Sequence, residues 1–213
     1  MGESLDELEQ WGTEVIFGRA RGFRATMMRV FLWGLSGIYR AGVAFRLRRY
    51  RRGGIEQQYL GTQVISIGNL TVGGTGKTPV VELFARTLRE RNRKPAILSR
   101  GYKSKKLPKA QEWKNRTTGE LIPADEMPKV VSSGGEPLLK VSNAGDEPWM
   151  LAKNLPGVSV VVDKNRVKGG SFAVRELESD ILILDDGLQY LHLAHSVDVV
   201  LVDQSAPFGT GQM

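Results

Sequence analysis

The stretch that decides the fold is Thr71-Val72-Gly73-Gly74-Thr75-Gly76-Lys77-Thr78-Pro79. It follows a short apolar run at 64–67 and precedes apolar residues at helical spacing up to Leu88. This is the layout of a phosphate-binding loop, which has a strand, a glycine-rich loop, a lysine, a hydroxyl residue and a helix in that order. The glycines let backbone N–H groups close around phosphate oxygens, and the helix directs its positive end at the same anion. A chance glycine turn is the alternative, but three glycines in four residues followed by Lys-Thr make it a poor explanation.

This interpretation assigns ATP to the backbone and side chains of eight consecutive residues: Thr71, Val72, Gly73, Gly74, Thr75, Gly76, Lys77 and Thr78. Lys77 reaches the β- and γ-phosphates, and the Thr78 hydroxyl holds Mg²⁺. The usual pattern has glycine at the position of Thr71, so this loop is a variant of it.

The order of the remaining apolar runs predicts the fold class. Strands are expected at 62–67, 95–99, 158–162, 181–184 and 199–203, with helices between them. Such β-α-β spacing predicts an α/β fold, a P-loop NTPase-like parallel sheet flanked by helices. Four prolines interrupt residues 103–145, which we expect to be an irregular insertion over one edge of the site.

Ligands of open α/β sheets lie beyond the carboxyl ends of the strands, which selects further candidate residues. Arg100 follows the second strand and is placed near the phosphates. Asp185 and Asp186 follow the fourth and would serve Mg²⁺; Asp203 has the same form, but the paired acids and the tight glycine favour the first site. Asp146-Glu147 stands before a helix, where the acids act either as helix-terminal charges or as a base and a metal ligand.

The charge distribution sets one segment apart from the rest. The chain has a net charge of +7, yet ten arginines and no acid lie between Val15 and Ile55. Without them, 20 basic residues stand against 23 acidic ones, a net charge of −3. The chain has no cysteine, and its acidic start lacks the basic residues of a secretory signal.

We interpret residues 1–54 as an amphipathic, membrane-associating segment that precedes a kinase core at 55–213. Its centre, 30–45, is 16 mostly apolar residues interrupted by Arg40, which is short for a spanning helix. Trp33 and Tyr39 suit the membrane interface, and the flanking arginines suit anionic head groups. A buried core helix and an arginine-rich nucleic-acid patch are the alternatives; the wide apolar face argues against nucleic acid.

Taken together, the motifs resemble the tetraacyldisaccharide 4′-kinase family of lipid A biosynthesis. The resemblance rests on 67–79, Ser99-Arg100-Gly101-Tyr102, Gly145-Asp146-Glu147-Pro148 and Asp185-Asp186-Gly187-Leu188-Gln189. It implies transfer of the ATP γ-phosphate to the 4′-hydroxyl of a tetraacylated glucosamine disaccharide 1-phosphate. It also implies a peripheral or monotopic enzyme on the cytoplasmic face of the inner membrane, with no nucleic acid and no obligate protein partner.

The resemblance further implies a role for each site residue. Asp146 is the base that accepts the sugar hydroxyl proton, and Lys77 and Arg100 neutralise the transferred phosphoryl group. Glu147, Asp185 and Asp186 serve magnesium together with Thr78. Gln189 lies close by, and Arg166 matches an arginine at the start of a family helix.

The sequence departs from the family in three respects. The family often has Phe and His where this chain has Leu188 and Tyr190, and the insertion is longer than expected. The family also continues past position 213 with a histidine that pairs with the base, so we expect a fragment with little activity of its own.

Two rival functions remain at the level of sequence. Membrane-associated ATPase switches of the partition type carry a lysine where this chain has Val72, which argues against them. A P-loop kinase of a soluble metabolite leaves the arginine-rich segment without a purpose.

Overall fold

The computed structural model describes residues 3–70, 76–101, 104–105, 107 and 111–204, with the backbone alone at 3–6 and 9. Residues 71–75 of the predicted phosphate loop therefore lie outside the described part of the chain. Contacts within the chain divide it into two compact units, the first ending at Glu56 and the second beginning at Gln57.

The first unit consists of two helices, α1 (Glu3–Ile16) and α2 (Phe23–Arg51). Gly18 and Gly22, both with positive φ, interrupt the helical path between them. Val15 and Ala25 are buried where the helices pack. The Arg29 guanidinium donates to the carbonyl of Val15 at 3.2 Å and also to the carbonyl of Ala20. Arg29 thereby ties α2 to the end of α1 and to the segment that follows it.

Helix α2 exposes most of its large apolar side chains. It has 29 residues and is about 43 Å long at the helical rise per residue. Phe23, Trp33, Ile38 and Tyr39 are each more than two thirds exposed. Three arginines occupy its last turn. Among the described helices, none is long and apolar enough to cross a membrane.

The second unit is built on a six-stranded sheet with the order β3-β4-β2-β5-β1-β6. All neighbouring strands are parallel except β3 and β4, which are antiparallel. The strands are β1 (Gln63–Asn69), β2 (Pro95–Ser99), β3 (Lys129–Ser133), β4 (Ser159–Val162), β5 (Ile181–Asp185) and β6 (Val197–Leu201). The helices are α3 (Lys77–Glu90), α4 (Val141–Ala144), α5 (Asp146–Asn154) and α6 (Arg166–Glu176). The predicted α/β fold, a largely parallel sheet flanked by helices, is confirmed.

Helices cover both faces of the sheet, so the central strands are buried on both sides. In β5, Ile181 and Ile183 face a core formed with α3 and α5, whereas Leu182 and Leu184 face a core formed with α6. This double burial explains why β5 is a continuous apolar run and not an alternating one. It also holds the carboxyl end of β5, where Asp185 lies, at a fixed place in the fold.

The insertion at 103–145 contributes a strand that the sequence analysis did not predict. β3 pairs with β4 at the edge of the sheet, with an irregularity in register between Val130 and Ser132. The sequence pattern gives no clear signal for β3, because the strand has only five residues, is polar at both ends and lies in a region interrupted by prolines. A turn at 115–119 lies in the same region, where Lys114 bridges Leu121 in antiparallel fashion.

Side chains dock this insertion onto α6. The Glu176 carboxylate accepts hydrogen bonds from the Arg116 backbone N–H at 2.9 Å and from Asn115 Nδ2 at 3.4 Å. Trp113 and Phe172 meet edge to face, with ring centroids 5.6 Å apart. These contacts attach the insertion, at the edge of the second unit, to α6.

Candidate active site

The carboxyl ends of three parallel strands converge on one edge of the sheet. Ile67 in β1 is in register with Asp185 in β5, and Leu98 in β2 with Leu184. Parallel register of this kind brings the residues after each strand to the same side. The starts of α3 and α5 reach the same edge, and the side chains there line a cavity of about 370 Å³. The lining residues are Lys77, Ser99, Arg100, Asp146, Glu147, Pro148, Asp185 and Asp186.

Lys77 lies at the start of α3, behind Gly76. Gly76 has φ 75°, a left-handed conformation that favours glycine. Lys77 Nζ is 2.7 Å from Asp186 Oδ1. Asp186 itself has φ 56°, which is uncommon for a residue other than glycine and recurs at functional sites. The backbone at the end of β5 thus turns so that this carboxylate meets the loop lysine.

The two acids that begin α5 also enter the site. Glu147 Oε1 accepts a hydrogen bond from the Thr78 hydroxyl at 2.8 Å, which joins the start of α3 to the start of α5. Asp146 is exposed and lines the cavity. No side-chain hydrogen bond caps α5, whose N-cap is Gly145. Both acids lie in the first turn of α5, where they also complement the helix dipole.

Asp185 is the buried acid of the cluster. The pKa of its carboxyl is raised to about 6, mainly by burial and next by the Glu147 carboxylate, while Lys77 acts in the opposite direction. The Ser99 hydroxyl donates to Asp185 Oδ2 at 3.4 Å, a long and weak hydrogen bond. A carboxylate without a close cation in a buried place is costly, so this site favours a cation or a proton at Asp185.

The remaining predicted residues differ in their surroundings. Arg100 lines the cavity from the end of β2. Arg166 is buried at the start of α6, and burial lowers the pKa of its guanidinium, with Asp185 and Asp186 acting in the opposite direction. Gln189 is exposed in the turn after β5 and is not among the residues that line the cavity.

The donors present fit a magnesium ion that is shared with a ligand. Four carboxylates and two cationic side chains line the cavity, and all of the carboxylate and hydroxyl oxygens are hard donors. Within the described residues, no three acidic or histidine side chains converge closely enough to enclose a metal by themselves. Magnesium in phosphoryl-transfer sites usually takes one or two carboxylates and leaves other positions to phosphates and water, so a protein-only cage is not required.

Two cavity residues received no role in the sequence analysis. Ser99 is the last residue of β2 and is the only described side chain that donates a hydrogen bond to Asp185. Pro148 is buried in the first turn of α5, where its missing N–H leaves no helical bond unmade. Both residues stand inside quoted motifs, so their position at the ends of elements was the available signal.

The fold and the site define an α/β protein of the phosphate-binding class. The family model described as tetraacyldisaccharide-1-P 4′-kinase matches residues 28–213. Tetraacyldisaccharide 4′-kinase from Desulfotalea psychrophila is 40% identical over 181 residues, which is 85% of this chain and 47% of that protein. The enzyme of the same name from Syntrophotalea carbinolica is 39% identical over 183 residues, covering 86% of this chain and 46% of that protein.

A solved structure is similar as well. The crystal structure of LpxK from Aquifex aeolicus in complex with ATP is 35% identical to this chain, with a TM-score of 0.68. The match covers 84% of this chain and 50% of the crystallised one. The chain therefore belongs to the tetraacyldisaccharide-1-P 4′-kinase family, as the sequence motifs predicted. It spans about half the length of the curated relatives it matches.

Proposed function

We propose that the protein containing this chain transfers the γ-phosphate of ATP to the 4′-hydroxyl of a tetraacylated disaccharide 1-phosphate. One observation carries the proposal beyond family membership. The loop lysine Lys77, the exposed carboxylate of Asp146 and the buried carboxylate of Asp185 line a single cavity. These are the groups that phosphoryl transfer needs for phosphate binding, proton acceptance and metal binding.

Nucleotide binding would use the start of α3. Lys77 and the backbone N–H groups of the first helical turn offer positive charge to the phosphates. Arg100, which lines the same cavity, supplies a second cation. Because the Lys77 ammonium group pairs with the Asp186 carboxylate, incoming phosphates must compete with that carboxylate for the ammonium group.

Magnesium would be held by Thr78 and by the carboxylates of Glu147, Asp185 and Asp186. When bound, the ion neutralises charge on the phosphate oxygens. Two observations support this assignment: the Thr78 hydroxyl donates a hydrogen bond to Glu147, and Glu147, Asp185 and Asp186 line the cavity. Ser99 orients the Asp185 carboxylate through its hydroxyl.

Asp146 is the proposed base. Its side chain is exposed at the cavity, and among the described residues none donates a hydrogen bond to its carboxylate. It can therefore accept the proton from an acceptor hydroxyl as the new P–O bond forms. Its place in the first turn of α5, a packed helix, fixes the carboxylate relative to Lys77.

Helix α2 is the proposed contact with the membrane on the cytoplasmic face. Phe31, Trp33, Ile38 and Phe45 expose between 62% and 77% of their surface. Exposed apolar surface on this scale marks a site of interaction, and an acylated substrate resides in a bilayer. The arginines of the last turn can meet anionic head groups while their aliphatic stems cover apolar surface.

The transfer is tested with the full-length protein, radiolabelled ATP and the acylated disaccharide 1-phosphate in mixed micelles. Lys77→Ala is expected to lower kcat/KM by about 10²-fold or more, since it removes a cation from the transferred group. Asp146→Asn is expected to lower kcat by about 10²- to 10⁴-fold, since it removes the proton acceptor.

Lys140→Ala and Asp125→Asn are matched controls because both residues are exposed and do not line the cavity. Their activity should remain at the level of the parent protein. ATP hydrolysis without any labelled lipid product in the parent protein would overturn the proposal and favour an ATPase.

A further inference from the structure

The Arg166 guanidinium occupies an unusual place. The residue is only 5% exposed, and its Nε has no hydrogen-bond partner among the residues that the structure describes. Asp185, Asp186 and Arg100, which line the cavity, all influence the pKa of its guanidinium, and Arg166 lies behind them, outside the set of lining residues. A buried arginine donor without a partner is costly, and a donor beside a phosphate site is the kind of group that an anionic ligand can satisfy.

Tyr190 holds Arg166 at two points. The guanidinium carbon lies 5.3 Å from the centre of the Tyr190 ring, a cation–π contact. The Tyr190 hydroxyl accepts a hydrogen bond from the Arg166 backbone N–H at 3.0 Å. It donates in turn to Asn165 Oδ1, 3.2 Å away, and Asn165 is the N-cap of α6. One side chain therefore fixes both the main chain and the side chain of Arg166.

Tyr190 is itself anchored to the end of β5. Its backbone N–H donates to the carbonyl of Gly187 at 2.8 Å, in the turn that directly follows Asp185 and Asp186. Its own carbonyl is 3.2 Å from His195 Nε2. The turn that carries the two acids and the helix that carries Arg166 are thus joined through a single residue.

We propose that Tyr190 is a positioning residue that holds the Arg166 guanidinium where it binds the γ-phosphate of the nucleotide. This inference rests on the proposed function, because it assumes that a nucleotide occupies the cavity. Tyr190 does not touch the nucleotide; it acts through Arg166. The hydroxyl sets the first turn of α6, and the ring supports the cation from one side.

Substitutions of Tyr190 can test the contribution of its hydroxyl separately from that of its ring. Tyr190→Phe keeps the ring but leaves the Arg166 N–H without its acceptor, whereas Tyr190→Leu removes both contacts. The exposed Tyr59, 81% accessible, supplies matched controls as Tyr59→Phe and Tyr59→Leu.

The experiment measures the dissociation constants of Mg·ADP and Mg·AMP-PNP for the full-length protein by calorimetry. The dissociation constant of Mg·ADP divided by that of Mg·AMP-PNP isolates the contribution of the γ-phosphate, and a lower ratio means that this contribution is weaker. Tyr190→Phe should lower this ratio by about threefold to tenfold, the typical effect of one hydrogen bond. Tyr190→Leu should lower it by about tenfold or more, since the cation–π contact is lost as well. Affinity for Mg·ADP and the midpoint of thermal unfolding should change little for Tyr190→Phe and for both Tyr59 variants.

Arg166→Met provides the decisive comparison. If Tyr190 acts through Arg166, adding Tyr190→Phe to Arg166→Met leaves the ratio unchanged, because the two substitutions are coupled. Equal losses for both nucleotides, no loss for either, or an undiminished effect in the Arg166→Met background would each overturn the inference. A full-length parent protein that binds neither nucleotide would instead overturn the proposed function on which the inference rests.

Discussion

The buried carboxylate of Asp185 should make the second unit less stable at neutral pH than at mildly acidic pH. Burial and the neighbouring Glu147 raise its pKa from 3.8 to about 6 in the folded protein. Above pH 6 the group is ionised in both the folded and the unfolded state, and the folded state bears the full cost. As the pH falls from 6 towards 3.8, the folded state takes up a proton before the unfolded state does, so this contribution to stability becomes more favourable.

The size of the effect follows from the two pKa values. A difference between 3.8 and about 6 corresponds to about 3 kcal/mol of unfolding free energy. Asp185→Asn removes the charge while keeping the shape, so it should stabilise the metal-free protein by up to about 3 kcal/mol at pH 7.5. At pH 4 the advantage should fall to a small remainder, because the parent carboxyl is then protonated when folded.

Urea unfolding in the presence of EDTA measures this, with tryptophan fluorescence as the signal and parent and variant compared at each pH. The difference between them isolates Asp185 from other titrating groups. Asp125→Asn is the control, since Asp125 is exposed. A difference that stays constant between pH 7.5 and 4 would refute the reasoning, because it would show that the carboxylate bears no burial cost.

Three further outcomes are expected. Gly170→Ala should destabilise the protein by about 1–3 kcal/mol in urea unfolding, because an added Cβ would lie 2.6 Å from Leu60 Cδ1. Gly12→Ala, in α1 with open space around it, should instead raise stability by about 0.5–1 kcal/mol, and destabilisation there would contradict the open surroundings. Replacing Trp33 and Phe45 together by serine should reduce sedimentation of the protein with both neutral and anionic vesicles. If binding to neutral vesicles is unchanged, the apolar surface of α2 does not enter the bilayer.

The strands that the sequence predicted correctly are those with continuous apolar runs. β2, β4 and β5 are buried on both faces, and such runs bounded by turn residues mark parallel strands. β3 was missed because its residues are polar at both ends and its partner, β4, is distant in sequence. Its existence depends on tertiary pairing that no local pattern contains.

The sequence predicts the residues of the candidate site that lie at the ends of predicted strands or the starts of predicted helices. Lys77, Asp146 and Asp185 follow or begin elements, and a parallel sheet brings such positions together. The Lys77–Asp186 ion pair and the left-handed backbone of Asp186 could not be predicted, because they depend on side-chain distances and on one local turn. The contacts of Tyr190 with Arg166 likewise join residues 24 positions apart.

The ion pair between Lys77 and Asp186 has a consequence for how affinity relates to turnover. In the proposed site, the lysine that binds phosphate already pairs with a carboxylate 2.7 Å away. A phosphate group must compete with that carboxylate for the ammonium group, which lowers the measured affinity. Asp186→Asn would therefore raise the affinity for metal-free nucleotide. It would also remove a carboxylate oxygen from the proposed magnesium site. In this site, a variant that binds ATP more tightly would be a poorer catalyst.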